Sequence, residues 1–117
     1  MLFVEYPKFS TCKKAKAWLD AHGAAYTDRH IVEHNPTAAE LAEWSERSGL
    51  PLKRFFNTSG LKYKELGLAA RLPALSREQQ LAMLASDGML VKRPLLVAEN
   101  CVLVGFREEE WNRALSR

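Results

Sequence analysis

The chain has 117 residues, enough for one domain of ordinary size, and it is 47% hydrophobic and 26% charged, as is typical of a globular protein. Its net charge of +3 is too small and too dispersed to indicate nucleic-acid binding by itself. Two cysteines are too few for a disulfide framework, no apolar run approaches the ~20 residues that span a bilayer, and the N-terminus does not resemble a signal peptide. We therefore expect a cytoplasmic protein with reduced thiols, no membrane partner and no direct nucleic-acid partner.

The N-terminal part of the chain predicts a strand, a helix and a second strand in succession. Residues 2–6 form an apolar run typical of a buried strand. A helix is predicted to begin at Ser10 or Thr11, both good N-caps, and to end near Gly23. Residues 25–31 are the second strand candidate, so the segment is typical of a βαβ unit with a right-handed crossover.

The middle of the chain is predicted to be helical. Two capping boxes, Thr37 with Glu40 and Ser76 with Gln79, indicate the starts of two helices. A short helix is predicted between them over residues 62–66.

Strand character returns towards the C-terminal end. Residues 94–98 and 102–104 predict an antiparallel hairpin, and a last helix is predicted from about Glu108 to Ser116. We interpret the whole chain, 1–117, as a single α/β domain. It combines a small mixed β-sheet flanked by helices with a helical insertion at about 35–90.

One cysteine stands near the predicted start of the first helix. Cys12 lies in the first turn, where free backbone N–H groups and the helix dipole favour an anion and can lower the pKa of a thiol. The same residue shares a helical stripe with Ala15 and Leu19, which predicts burial against the sheet and an inert thiol. Both interpretations follow from the sequence. The nearby lysines either attract a small oxyanion or form a solvated helix face: Lys8, Lys13, Lys14 and Lys16.

Four segments, taken in chain order, carry a family resemblance. They are Tyr6-Pro7-Lys8-Phe9-Ser10-Thr11-Cys12-Lys13-Lys14-Ala15, Phe55-Phe56-Asn57-Thr58-Ser59-Gly60 with Tyr63-Lys64-Glu65-Leu66-Gly67-Leu68, Val91-Lys92-Arg93-Pro94-Leu95-Leu96-Val97, and Val104-Gly105-Phe106-Arg107. Together they resemble the ArsC/Spx family, which has a thioredoxin-like fold. The resemblance implies an arsenate reductase-type thiol oxidoreductase that takes electrons from glutathione or a glutaredoxin. The alternative that it implies is an Spx-like or other non-catalytic regulator, for example one that binds RNA polymerase through the exposed turn at residues 48–51.

The resemblance also assigns roles to individual residues. Phe9 occupies the position of the nucleophilic cysteine of the reductases, so catalysis would have to depend on Cys12, which matches a second, resolving cysteine. Arg93 and Arg107 match two of the three arginines that hold the oxyanion. The third position is Asn57, which has no guanidinium group. These two departures leave catalytic activity open.

The remaining site residues are assigned in the same way. Ser10 and Thr11 would offer backbone N–H groups to an anion, or simply cap the helix, and Pro94 matches a cis-proline of thioredoxin-like folds. Arg93 is alternatively a structural arginine that caps a loop, and Arg107 is alternatively a surface residue paired with one of three glutamates: Glu108, Glu109 or Glu110. No bound cofactor and no metal site are predicted.

Overall fold

The computed structural model describes residues 1–115, and within them four strands form one mixed sheet. The strands are Leu2–Glu5 (β1), Thr27–His30 (β2), Leu95–Val97 (β3) and Val102–Val104 (β4). Their order across the sheet is β2-β1-β3-β4, with β1 parallel to β2, and with β3 antiparallel to both β1 and β4. The predicted βαβ unit and the predicted hairpin are therefore confirmed.

Helices lie on both faces of this sheet. Those of residues 1–115 are Ser10–Ala21 (α1), Ala38–Ser48 (α2), Leu61–Glu65 (α3), Leu68–Arg71 (α4), Arg77–Ser86 (α5) and Glu108–Leu115 (α6). Helices α2 to α5 follow one another between β2 and β3. The predicted end of the last helix at Ser116 lies outside the described residues. None of these six helices is long and apolar enough to cross a membrane.

Alternation along β1 supplies two separate cores, because neighbouring strand residues point to opposite faces of a sheet. Phe3 packs in one core with Trp18 of α1 and Trp111 of α6. Val4, the next residue, packs in the other core with Leu41 and Leu84 of the inserted helices. The sheet is thus enclosed between α1 and α6 on one face and the insertion on the other.

The insertion is anchored at its first helix. Both predicted capping boxes are present, Thr37 with Glu40 and Ser76 with Gln79. Arg29 of β2 donates hydrogen bonds of 2.8 and 2.9 Å to the two carboxylate oxygens of Glu40. These bonds lower the pKa of Glu40 to about 2 and tie α2 to the edge strand of the sheet.

Two local predictions are wrong. Helix α1 begins at Ser10, so its cap position is Phe9, which makes no side-chain capping bond, and neither Ser10 nor Thr11 is the N-cap. Helix α4 was not predicted, because Gly67 has the features of a helix stop. Gly67 does end α3 in a left-handed conformation, with φ of 62°, but the chain re-enters the helical region immediately after it.

Candidate functional site

A cleft of about 590 Å³ lies where four segments of the chain meet. They are the start of α1, the 3₁₀ turn Leu52–Phe55 with the residues after it, the segment before β3, and the turn after β4. The lining contains no acidic residue and five basic ones: Lys53, Arg54, Lys92, Arg93 and Arg107. Walls of one charge sign concentrate a positive potential inside a cleft, so this site favours anions.

Arg93 is the buried member of this group, with 6% of its surface exposed. Its Nη1 donates hydrogen bonds of 3.0 Å to the carbonyl oxygens of Met89 and Val91. With its amide oxygen turned towards the guanidinium, Asn57 accepts bonds of 3.2 Å from both Nη atoms. Arg93 therefore does hold the preceding loop, as its structural interpretation states.

The positive charge of Arg93 nevertheless has no countercharge in the part of the chain that the structure describes. No carboxylate of residues 1–115 forms a salt bridge with Arg93, and its Nε has no hydrogen-bond partner there. Burial accordingly lowers the pKa of Arg93 from its usual range. A buried cation that faces a basic cleft without a carboxylate is an arrangement that an incoming anion stabilises.

Two aromatic rings lie against the Arg93 guanidinium. Its central carbon is 5.5 Å from the ring centroid of Tyr6 and 5.5 Å from that of Phe9. Both distances are within the range of cation–π contacts. The peptide bond between Arg93 and Pro94 is cis, which confirms that prediction. Phe9, at the position of the missing cysteine, is thus part of the cleft wall.

The other predicted oxyanion residues divide between the cleft and its surroundings. Thr11 and Arg107 line the cleft, whereas Ser10 and Asn57 do not. Arg107 is exposed, and the alternative pairing with its glutamate neighbours is wrong. No salt bridge joins it to any glutamate of the described chain: Glu108, Glu109 and Glu110 included. Its guanidinium is available to a ligand in the cleft.

Three basic residues of the cleft were missed by the sequence analysis. Lys53 and Arg54 come from the 3₁₀ turn, and Lys92 precedes Arg93. The Lys92 side chain passes the turn after β4, where its Cε would lie only 3.4 Å from a Cβ on Gly105. The signal available was their position beside two of the family segments. The lysines near Cys12 do not line the cleft, which contradicts their interpretation as an oxyanion attractor: Lys8, Lys13, Lys14 and Lys16.

Cys12 is buried, with no exposed surface, and it does not line the cleft. Burial raises the pKa of Cys12 to about 11, although a hydrogen bond with the Tyr6 backbone and the charge of Arg93 oppose this rise. The expectation that the helix N-terminus lowers this pKa is wrong, because the loss of water around the sulfur disfavours the thiolate more strongly. Both Cys12 and Cys101 are free thiols. The geometry supports the packed interpretation of Cys12 and offers no support for its catalytic assignment.

A buried carboxyl pair adds to the cost of a Cys12 thiolate. Glu5, the last residue of β1, is 2% exposed. Burial first, and then the hydrogen bond and the negative charge of Asp28, raise the pKa of Glu5 to about 8. The ammonium of Lys16 opposes that rise, from 4.0 Å away, but it lies closer to Asp28, at 2.8 Å. The charge of Glu5 also raises the pKa of Cys12.

The mixed four-stranded sheet, the helical insertion and the cis-proline beside a basic cleft define a thioredoxin-like domain. The model of the ArsC family matches residues 4–114, and the chain belongs to that family.

Three known proteins illustrate the similarity. The crystal structure of an ArsC-family-related protein from Bacteroides fragilis is 56% identical, covers 96% of this chain and 94% of its own, and superposes with a TM-score of 0.92. That of a possible arsenate reductase from Streptococcus mutans is 47% identical, covers 95% of this chain and 96% of its own, and has a TM-score of 0.86. The global transcriptional regulator Spx of Staphylococcus saprophyticus is 28% identical over 95% of this chain and 83% of its own length. The family therefore includes both reductase-like and regulator-like relatives.

Proposed function

We propose that this ArsC-family chain binds an anionic ligand in its basic cleft and does not catalyse thiol-based reduction. The observation that carries the proposal is the lining of the cleft, which has five basic residues, one of them buried without a carboxylate partner, and no acidic residue. Charge-assisted hydrogen bonds from guanidinium and ammonium groups are the usual means of holding phosphate, arsenate or carboxylate groups.

The reductase alternative requires a thiolate that reaches the ligand. Phe9 stands in the cleft where the reductases of the family carry their nucleophile, and a phenyl ring has no lone pair with which to attack arsenic or sulfur. Cys12 is the nearest thiol along the chain, but it is buried and its pKa is raised to about 11. Glutathione remains a candidate ligand through its carboxylates. A glutaredoxin partner and a cytoplasmic location stay predictions.

Anion binding is tested by titrating the ¹⁵N-labelled protein with inorganic phosphate at low ionic strength. We expect shifts of the amide signals of Thr11, Gly105 and Arg107, which line the cleft. Arg107→Gln should weaken binding about tenfold, because a hydrogen bond to a charged group typically contributes about 1.5 kcal/mol.

The matched control for this experiment is Arg71→Gln. Arg71 is exposed on α4 and does not line the cleft, so its substitution changes the net charge equally and should leave the phosphate affinity nearly unchanged. Equal weakening by the two substitutions would mean that phosphate responds only to overall charge. That result, or the absence of any shift, would contradict the proposed site.

A second candidate function is Spx-like binding of RNA polymerase, and one feature of the insertion favours it. The turn at residues 48–51 is largely exposed, with Gly49 in a left-handed conformation at φ of 72°. It continues directly into the 3₁₀ turn that contributes Lys53 and Arg54 to the cleft. A partner that docks on the exposed turn would therefore also meet a basic surface, which suits an acidic protein segment.

Purified RNA polymerase subunits and the immobilised chain provide the test of this second function. We expect retention of a subunit by the unmodified chain and at least about tenfold weaker binding after the double change Lys53→Glu and Arg54→Glu, since reversal of charge at an interface costs several kcal/mol. The double change Lys13→Glu and Lys14→Glu, on the exposed side of α1, is the matched control. Failure of the unmodified chain to retain any subunit would exclude this function.

A further inference from the structure

The size of the cleft says something about its ligand. Its volume of about 590 Å³ falls inside the range of roughly 300–1,000 Å³ that is usual for organic small molecules. An inorganic tetrahedral oxyanion would fill only a small part of this space. The proposed function leaves the rest of the ligand unspecified, and the following inference, which rests on that function, concerns this remaining part.

The lining also has an apolar component, formed by three phenylalanines: Phe9, Phe56 and Phe106. Phe56 is buried and Phe106 packs edge-on against Trp111, with ring centroids 4.8 Å apart. Phe9 differs from both, since 38% of its surface is exposed and it belongs to neither core. An exposed aromatic ring inside a basic cleft contributes little to folding and is available to an apolar part of a ligand.

Arg93 connects the charged and the apolar components. Its guanidinium carbon is 5.5 Å from the Phe9 ring centroid, and it is the buried cation of the cleft that lacks a countercharge. An anionic group attracted to this charge is therefore brought beside the Phe9 ring. The part of the ligand next to the anionic group then has the exposed phenyl surface as its nearest neighbour.

We propose that the natural ligand is an organic anion in which an aromatic ring lies next to a phosphate-like group, with the anionic group near Arg93 and Arg107 and the ring against Phe9. The number of basic residues favours a doubly charged head group over a single carboxylate, because each additional charge engages more of the five cations. Phe9 is accordingly the residue that determines specificity, in the position where other family members carry a nucleophile.

The experiment compares phenyl phosphate with methyl phosphate, which have the same charged group and differ in the ring. Both are titrated into the ¹⁵N-labelled protein under identical conditions. We expect phenyl phosphate to bind about fivefold more tightly, as is typical of one favourable aromatic contact. In Phe9→Ala this preference should disappear while methyl phosphate binds as before. Val32→Ala is the control, since Val32 is exposed to a similar extent, 40%, but does not line the cleft.

The outcomes separate this inference from the proposed function. Equal affinities for the two phosphates, or a preference that survives Phe9→Ala, would overturn the aromatic ligand and leave anion binding intact. Loss of the preference in Val32→Ala as well would also overturn it, because the effect would not be local to the cleft. No binding of either phosphate would overturn both proposals. Arg107→Gln should weaken both phosphates by the same factor, because it contacts only the part that they share.

Discussion

Replacement of Phe9 by cysteine is expected to create a reactive thiol in a protein whose own Cys12 is nearly inert. With a pKa of about 11, Cys12 is ionised to about 0.01% at pH 7, whereas a cysteine with an ordinary pKa of about 8.5 is ionised to about 3%. The ratio predicts at least about 300-fold faster alkylation of the new thiol, and the neighbouring Arg93 should increase it further. The measurement is the rate of iodoacetamide labelling at pH 7, followed by mass spectrometry.

This comparison is made in a Cys101→Ser background, because Cys101 is only partly buried and would react as well. Val32→Cys is the matched control for exposure, since it places a thiol at an exposed apolar position outside the cleft. The Phe9→Cys variant should react faster than this control if the cleft stabilises a thiolate. If Cys12 of the unmodified protein already reacts at a comparable rate, or supports glutathione-dependent reduction, the non-catalytic function is wrong.

The second large effect concerns stability. Glu5→Gln is expected to raise the free energy of unfolding by about 2 kcal/mol at pH 9 and to leave it nearly unchanged at pH 5. The folded chain raises the pKa of Glu5 from 4.5 to about 8, mainly through burial, so the folded state holds a proton that the unfolded state releases. The stability of the unmodified protein should therefore fall as the pH rises from about 4.5 to about 8. Glutamine remains neutral, and it avoids this loss.

The pH range identifies the residue responsible. Burial opposes ionisation of Asp28, but its hydrogen bonds with Glu5 and Lys16 prevail and lower its pKa from 3.8, so its own contribution is lost only in more acidic solution. Urea unfolding at several pH values measures the difference between Glu5→Gln and the unmodified chain. Glu33→Gln is the control, because Glu33 is exposed and forms no salt bridge within residues 1–115. A difference that does not change with pH would show that Glu5 is charged in the folded state.

Local sequence signals were sufficient for much of the fold. The capping boxes at Thr37 and Ser76, the stop at Gly49 and the hairpin at residues 102–104 depend on side chains within a few positions of one another. The family resemblance supplied the cis-proline at Pro94, for which the sequence alone has no reliable signal. Helix α4 was missed because a single helical turn has too few residues to display a period.

The site was harder to predict, since it depends on distances between segments far apart in the chain. Lys53 and Lys92 are separated by nearly 40 residues, and only the folded chain brings both to the cleft. For Cys12, two opposing effects were visible in the sequence, a helix N-terminus and a buried stripe, but their relative magnitudes were not. The structure shows that burial prevails, because the sulfur has no exposed surface.

The position of Phe9 outside both cores has an evolutionary consequence. Because no packed neighbour depends on the identity of this side chain, a cysteine and a phenylalanine can alternate there without loss of the fold. Their codons differ by a single base. The basic lining of the cleft comes from other segments and is unaffected by such a change. A descendant of an enzyme can thus become a binding protein, or revert, in one mutational step and without an unstable intermediate.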